Sequence, residues 1–430
     1  MEYRFPYDDF DPIEIPDRQL SGVYSIGAAG GSRRPPGQLI ADALTNPIGS
    51  PRLKDRVRLG MKVLIVVDDN TRSTRTELML AAVIAELSGA GLVDHDIQVL
   101  VALGTHRPMS RLEMEQKYTP GIVASHRFIL PNWQNAGDFE IVGSSGDFPV
   151  RIHRELLKAD FVIGVGQTVP HLIAGFGGGC KIINPGCADA ETIGRMHWLC
   201  STAEDGRLFA VRDNPVRRVI DEAGLKAGLK FIINEVPGKD DAIAGVFAGD
   251  PILAHRAACD FARSSCTVAI SELADIVVAD PYPSDLDFWQ SLKGLNAACS
   301  ALRPGGTVIF VAPCTEGVCP SHPEIAAIGF RHPAGHIENL VATGRLCPIP
   351  AAAIWLGARM LERANVILVT KGVSAAEATA LGLEHASDPA TALALALRRH
   401  GAESRINVLH KAAKMICSVG GTDNRRGVRL

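Results

Sequence analysis

Four groups of residues in this chain combine types and spacings that can do chemistry. Asp69, Thr71 and Arg72 follow directly on an apolar run. An arginine there can hold a carboxylate or phosphate through two parallel bonds, or pair with the adjacent aspartates. Arg75 adds a second cation where a helical pattern starts, a place suited to a bound anion. His106 lies in Gly104-Thr105-His106-Arg107-Pro108, directly after a strand pattern. A loop histidine that titrates near neutrality is suited to proton transfer. His171, Lys181 and His197 share one loop-plus-helix stretch, with Gly177, Gly178 and Gly179 between the first two.

Glycines let backbone N–H groups approach an anion closely. A lysine beside them is either a phosphate-binding charge or, with a lowered pKa, a nucleophile. The spacing is not that of a Walker loop, which needs Gly-Lys-Ser/Thr, because Ile182 follows Lys181. His171 and His197 can serve as general base and metal ligand, or as a core and a helix-surface side chain. Cys and His residues nowhere fall at zinc-site spacing, so a metal here must take most of its ligands from something else. Gln290 and Lys293 stand one helical turn apart and share a face. They can grip a substrate oxygen or carboxylate, or simply be solvated.

These groups need rigid elements to hold them. Val63 to Val67, Ile97 to Ala102 and Phe161 to Val165 are apolar runs that read as buried parallel strands. Each ends in polar, titratable residues, where open α/β sheets bind ligands. Between the first two, Leu80, Val83, Ile84 and Leu87 recur at helical spacing. A second α/β unit begins around Leu253 to Ser271, with strands at Asp275 to Ala279, Thr307 to Ala312, Val366 to Thr370 and finally Ile406 to Leu409. The segment Asp287 to Lys293 opens a helix, and Pro389 to Arg399 forms another, capped by Asp388. Residues 1–24 are expected to be an arm on the surface, 27–37 a loop and the tail from Gly420 frayed.

Composition sets the class. The chain has 430 residues, 47% of them hydrophobic and 21% charged, enough for a sizeable core. A formal net charge of −3 makes no electrostatic case for nucleic acid. No apolar run is long enough for a membrane span, and Met1-Glu2-Tyr3-Arg4-Phe5 does not read as a signal peptide. Ten cysteines without a CxxC pair suggest reduced thiols and a cytoplasmic protein.

Taken together, the motifs resemble the nickel-dependent lactate racemase family, which uses the nickel-pincer nucleotide. Five separated stretches occur in the family's order: Asp68-Asp69-Asn70-Thr71-Arg72, Gly104 to Pro108, Pro170-His171 through Gly186, His197, and Gln290-Ser291-Leu292-Lys293. The resemblance implies a pyridinium mononucleotide joined as a thioamide to Lys181, with nickel completed by His197. Asp69, Thr71, Gly177, Gly178, Gly179 and Pro185 would receive the rest of the cofactor. His106 and His171 would act as general base and acid on the two faces of a small 2-hydroxy acid. Arg72, Gln290 and Lys293 would orient that substrate, with Trp289 as a wall. The implied reaction is racemisation by transient transfer of the C2 hydride to the cofactor.

The expected fold is α/β: two α/β domains with mostly parallel sheets and the active site in the interdomain cleft. Residues 1–262 would anchor the cofactor, 263–405 would form the second domain, and 406–430 would be a strand and tail returning to the first. Proteins of cofactor biosynthesis are implied partners, and neither nucleic acid nor membrane is; the oligomeric state stays open.

The chain departs from the family at Thr71-Arg72-Ser73-Thr74-Arg75, where the family usually reads Thr-Arg-Pro-Thr-Pro. Arg75 is therefore expected to meet an extra anionic or polar group on a substrate other than lactate. Rival readings are C2 epimerisation of a sugar acid with the same cofactor, a lysine-aldimine enzyme, and a non-catalytic nucleotide- or metal-binding protein.

Overall fold

Val63-Leu64-Ile65-Val66-Val67 has no polar side chain on either face, and such a run is stable only with both faces covered. In the computed structural model, which describes residues 1–27, 34–145, 148–202, 208–333 and 335–420, every residue of the Val63–Asp68 strand is buried. The chain forms two compact units. One takes in the described residues of 29–199 and 210–265; the other takes in those of 1–28, 200–209 and 266–430.

In the first unit the sheet runs, by strand, Ile243–Gly249, Leu229–Pro237, Phe161–Gln167, Val63–Asp68, Ile97–Ala102, Arg127–Ile129. All neighbours are parallel except the Ile243–Gly249 edge strand. Sequence order runs outward from Val63–Asp68 to one side, then restarts on its other side with Phe161–Gln167. That reversal is where the loops after two neighbouring strands part and leave a crevice. The Thr76–Gly89 helix packs Met79, Leu80, Val83 and Leu87 into the core against Ile65 and Val67.

The second unit holds a wholly parallel sheet in the order Glu384–Ala386, Asn365–Val369, Leu302–Val311, Ala274–Ala279, Ile406–Leu409, Leu20–Tyr24. The Phe288–Ser300 helix follows the Ala274–Ala279 strand and carries Gln290 and Lys293.

Here the structure corrects three expectations. The stretch 1–24 is not a surface arm: Tyr3, Phe5, Phe10, Ile13 and Ile15 are buried in the core of the second unit. Glu2–Tyr3 pairs antiparallel with Ile13–Glu14, so the apolar side chains of Tyr3, Phe5, Ile13 and Ile15 turn inward while Glu2, Arg4 and Glu14 face out. Glu2 and Glu14, two of the acidic residues that suggested an exposed arm, are the outer half of that alternation. Leu20–Tyr24 then closes the sheet edge beside Ile406–Leu409. The expected boundary at 262 lies close to the passage between the units at 265/266, but the described residues of 1–28 and 200–209 are not part of the first unit. Nor does the Ile406–Leu409 strand return to the first unit, because its backbone bonds are taken by Ala274–Ala279 and Leu20–Tyr24. Part of the 27–37 segment (28–33) and the tail beyond Gly420 lie outside the described residues, while Pro36–Thr45 is a helix. Among the described residues no helix is long and apolar enough to cross a membrane.

If the arm is core, Ile13→Ala leaves a cavity and lowers stability by about 2–5 kcal/mol, read as a fall in the urea midpoint of the transition that includes this unit. A midpoint displaced by less than about 0.5 kcal/mol, the usual effect of a surface change, would refute the placement.

Candidate functional site

The loop that leaves the Val63–Asp68 strand is shaped by two buried carboxylates. Asp68 accepts from Thr74 Oγ1 at 2.5 Å and Thr76 Oγ1 at 2.7 Å, and its carbonyl accepts from the Tyr118 hydroxyl at 2.7 Å. Asp69, 2% exposed, takes the Thr71 hydroxyl at 2.6 Å on Oδ1 and His106 Nδ1 at 2.6 Å on Oδ2. Burial pushes the Asp69 carboxyl up, but the facing His106 ring, its hydrogen bond and the Arg72 charge outweigh it and hold the group well below the usual carboxylate range. Arg72 Nη1 donates to Thr71 Oγ1 at 3.0 Å. Asp69, Thr71, Arg72 and His106 thus form one connected group, built from the ends of two adjacent parallel strands.

A short helix, Arg111–Tyr118, pins this group from outside. Its Ser110–Glu113 capping box places Glu113 so that one carboxylate accepts from Asn70 Nδ2 at 3.0 Å and from both Arg107 guanidinium nitrogens, at 3.0 and 2.7 Å. One turn on, Lys117 Nζ donates to the carbonyls of Arg72 and Thr74 at 2.6 and 2.9 Å. Sequence reading missed Glu113, Lys117 and Tyr118. The Ser-x-x-Glu capping signature marks the helix start, but nothing local says which loops its side chains reach.

Arg75 has a partner within the protein for its side chain and another for its backbone. Its Nε donates to Glu77 at 2.6 Å on a half-exposed surface. Its backbone N–H, which a proline would lack, donates to the buried Glu235 at 3.2 Å. Glu235 also accepts from Gln167 Nε2 at 2.9 Å. Arginine at this position thus supplies a backbone donor that a proline would not.

The loop after Phe161–Gln167 carries His171 on a two-residue strand, Pro170–His171, paired with Gly175–Phe176. His171 Nδ1 accepts from the N–H groups of Ile173 and Ala174, both at 3.2 Å. This bond pattern leaves the proton on Nε2, whereas the Asp69 bond puts the His106 proton on Nδ1 and a lone pair on Nε2. The two rings are therefore held as opposite tautomers.

The glycines serve packing here. Gly178 and Gly179 have φ of 75° and 60°. A Cβ on Gly178 would lie 2.4 Å from Thr168 Oγ1, and one on Gly179 2.7 Å from His255 Cγ. The N–H of Gly177 donates to the Val169 carbonyl at 2.7 Å and that of Gly179 to Asn234 Oδ1 at 2.8 Å. Those two donors are committed inside the protein, so the run is not the open anion nest that the glycine spacing suggested.

Lys181 follows, half-buried. Burial, then the charges of Arg72 and Arg217, push its amine down to about 7 against a smaller opposing pull from Asp69. Among the described residues its ammonium has no hydrogen-bond or salt-bridge partner. Pro185 is buried and follows a cis peptide bond. Beside it Asn184 is fully buried with neither amide atom partnered among the described residues. The Gly186 carbonyl accepts from Gly104 N–H at 2.9 Å, which ties the Lys181 segment to the His106 loop.

His197 lies on the Ala190–Trp198 helix, whose first turn is capped by Asp189 accepting from Thr192 N–H at 2.9 Å. Its Nδ1 donates to the Ile193 carbonyl at 2.8 Å, which leaves the lone pair on Nε2, the state a metal ligand requires. Among the described residues no three His, Cys, Asp or Glu side chains converge as a protein-only metal site. Gln290, Lys293 and Trp289 belong to the other compact unit. Asp287 caps their helix by accepting from Gln290 N–H at 2.7 Å, Lys293 Nζ donates to Gln290 Oε1 at 2.5 Å, and the Trp289 ring meets His322 edge-on at 5.3 Å.

These protonation states can be measured. Nitrogen-15 NMR of the imidazoles near pH 8 should report His106 protonated on Nδ1 and His171 on Nε2; identical tautomers would contradict the bonding above. Lys181 has the opposite linkage to a salt-bridged lysine. Its folded pKa of about 7 lies below its unfolded value, so the unfolded chain binds the extra proton between those two values. Its destabilising effect is full below pH 7 and is relieved as pH rises toward about 10.4. Lys181→Met should therefore raise the melting temperature at pH 6, with the gain shrinking by pH 10; a gain independent of pH would contradict the shift.

The chain is similar along most of its length to known proteins. The lactate racemase N-terminal domain family matches residues 8–207 and the lactate racemase C-terminal domain family matches residues 270–417. The chain is 29% identical over 424 residues to a lactate racemase of Thermoanaerobacterium thermosaccharolyticum, covering 94% of this chain and 96% of that one. It is likewise 29% identical over 422 residues to a lactate racemase of Lactiplantibacillus plantarum, with the same coverage. The structure of the lactate racemase apoprotein from T. thermosaccharolyticum superimposes with a TM-score of 0.85 at 27% identity, over 97% of this chain and 100% of that one. A Thermotoga maritima protein shares the fold, with a TM-score of 0.70 at 21% identity, over 87% of this chain and 100% of that one. With both family domains in order along one chain, this protein belongs to the lactate racemase family.

Proposed function

We propose that the protein racemises a small 2-hydroxy acid, lactate or a close analogue, and that it does so with a nickel-pincer nucleotide attached to Lys181. The observation that carries this reading is the pair of histidines held as opposite tautomers, one with a lone pair and one with a proton at Nε2. A reaction that inverts C2 of a 2-hydroxy acid by way of the 2-keto acid needs a base for the hydroxyl proton and a hydrogen-bond donor for the carbonyl oxygen.

The residues suit the cofactor that the family resemblance implies. Lys181 offers an amine at about 7 with no competing partner among the described residues. Asn184, three residues on, has a buried amide with both atoms unpartnered; an unsatisfied buried amide costs about 1–3 kcal/mol, which a polar group bound there would relieve. His197 carries its proton on Nδ1 and so keeps a lone pair for nickel. When bound, the cofactor supplies the acceptor for the C2 hydride.

The chain's own residues do the rest. His106 Nε2 takes the hydroxyl proton, and the imidazolium that forms is stabilised by the Asp69 carboxylate 2.6 Å from Nδ1. Arg72, fixed through Thr71 and Lys117, offers its guanidinium to the substrate carboxylate. His171 donates an Nε2–H hydrogen bond to the substrate oxygen on the other face and keeps its proton, because its Nδ1 already accepts from the Ile173 and Ala174 N–H groups. The proton returned to that oxygen is the one held on the His106 imidazolium. Gln290 and Lys293 are assigned the substrate's remaining oxygens, and Trp289 the wall beside them. The ten cysteines, all unpaired, support a reducing, cytoplasmic setting, and loading requires cofactor-building proteins as partners.

Co-expression with such proteins, followed by chiral chromatography of single enantiomers of lactate and related 2-hydroxy acids, tests the reading. Racemisation should proceed in D2O without deuterium entering C2, because the hydride returns to the carbon it left. Asp69→Asn and His106→Gln should each lower kcat by about 10²–10⁴. Deuterium at C2, or full activity in Asp69→Asn, would overturn it.

A further inference from the structure

The segment between His171 and Lys181 is held from its inner side by a buried cation. Arg217 is 0% exposed and is among the largest fully buried side chains. It stands in the first turn of the Pro215–Lys226 helix, where its N–H is capped by Asn214 Oδ1 at 2.8 Å. Its guanidinium donates to three carbonyls of the loop: Nε to Ala174 and Nη1 to Gly178, both at 3.3 Å, and Nη2 to Phe176.

The fourth inward carbonyl, that of Gly177, accepts from His255 Nε2 at 2.9 Å. His255 Nδ1 accepts from Arg256 at 3.0 Å, and burial keeps the His255 ring neutral. The counter-ion is Asp221, 3.6 Å from Arg217 Nη1 and shared with Arg256, whose Nη2 lies 2.6 Å away.

A turn that served only to connect two strands would need no such support. Removing a guanidinium from water is expensive, and here three of its donors face main-chain carbonyls of the run that leads to Lys181. We propose that Arg217 is a positioning residue for the Lys181 amine, fixing the loop that presents it and lending it a permanent positive neighbour. The inference rests on the reading of Lys181 as the attachment point.

The surroundings of the amine support it. Burial first, then Arg72 and Arg217, favour the neutral, nucleophilic form, with Asp69 opposing; Asp221 pairs with both Arg217 and Arg256. A neutral amine has the lone pair that a nucleophile needs, and an ammonium does not.

The experiment is competitive labelling of the cofactor-free protein with acetic anhydride from pH 5.5 to 10. The amine forms an N–C bond, the anhydride C–O bond breaks, acetate leaves and the amine proton passes to buffer. Peptide mass mapping then gives the labelling midpoint of Lys181 against that of the exposed Lys54. Wild type should label with a midpoint near 7. Arg217→Gln should move it up by about one pH unit and reduce cofactor adduct on Lys181 several-fold after co-expression.

Arg217→Lys keeps the charge but not the fork, so the midpoint should hold while loading falls. A wild-type midpoint in Arg217→Gln, or full loading in Arg217→Lys, overturns the proposal. Should Arg217→Gln fail to fold by circular dichroism, the midpoint and loading of Arg217→Lys decide alone. A wild type that labels as expected yet never carries an adduct overturns the attachment reading and leaves the assignment of Arg217 standing.

Discussion

Parallel strands bring all their carboxyl ends to one edge of a sheet, and that constraint governs the first unit. The chain doubles back across Val63–Asp68, so the loops after this strand and after Phe161–Gln167 leave neighbouring strands and diverge. Asp69 and Arg72 leave by one loop, His171 and Lys181 by the other, and His106 arrives from the next strand over. The apolar interior of those strands is what makes the edge polar: β-branched residues fill both faces, and polar side chains are left at the strand ends.

A crowded edge of charged groups holds together only when each group is answered. Asp68 is answered by two threonines and Lys117, Asp69 by Thr71 and His106, Glu113 by Asn70 and Arg107, and Arg217 by loop carbonyls and Asp221. Losing one partner of a buried pair costs about 3–5 kcal/mol, so the networks around the buried Asp69 and Arg217 resist rearrangement, whereas the partly exposed Glu113–Arg107 pair contributes little. Rigidity of this kind suits a site in which reacting atoms must be placed before reaction. The exceptions are informative: Lys181 and Asn184 stand in the same segment without partners among the described residues, and that is where an added group would be satisfied.

The two histidines show how main-chain geometry settles chemistry. Nothing in the imidazole itself distinguishes His106 from His171. A carboxylate at Nδ1 makes one ring a proton acceptor at Nε2, and two backbone donors at Nδ1 make the other a donor. The glycine run contributes by packing rather than by anion binding: with no Cβ, Gly178 and Gly179 approach Thr168, Asn234 and His255 closely enough for the loop to close over Arg217 and His255.

Much of this is legible along the chain. The apolar runs at 63–67, 97–102 and 161–165 specify buried strands because a period-free hydrophobic segment is stable only between two covered faces. The Asp-Asp-Asn-Thr-Arg, Gly-Thr-His-Arg-Pro and His-to-Lys stretches mark the strand ends because core residues need none of those types. Local sequence also carries the helix starts at Ser110, Asp287 and Asp388. What it could not carry were interactions between segments remote in sequence. The stretch from Met1 to Ile15 reads as an acidic arm because its inward alternation has meaning only against the sheet that begins at Ala274. The bond from the Arg75 N–H is not legible locally because Glu235, which takes it, stands on a strand far downstream. Arg217 reads as one more helix arginine because the carbonyls it holds, those of Ala174, Phe176 and Gly178, belong to a loop well upstream of its helix. Residue types and local spacing determined the elements and the chemistry available at their ends. Only tertiary packing decided which charges meet, which nitrogen of each histidine bears the proton, and which buried groups remain unpaired.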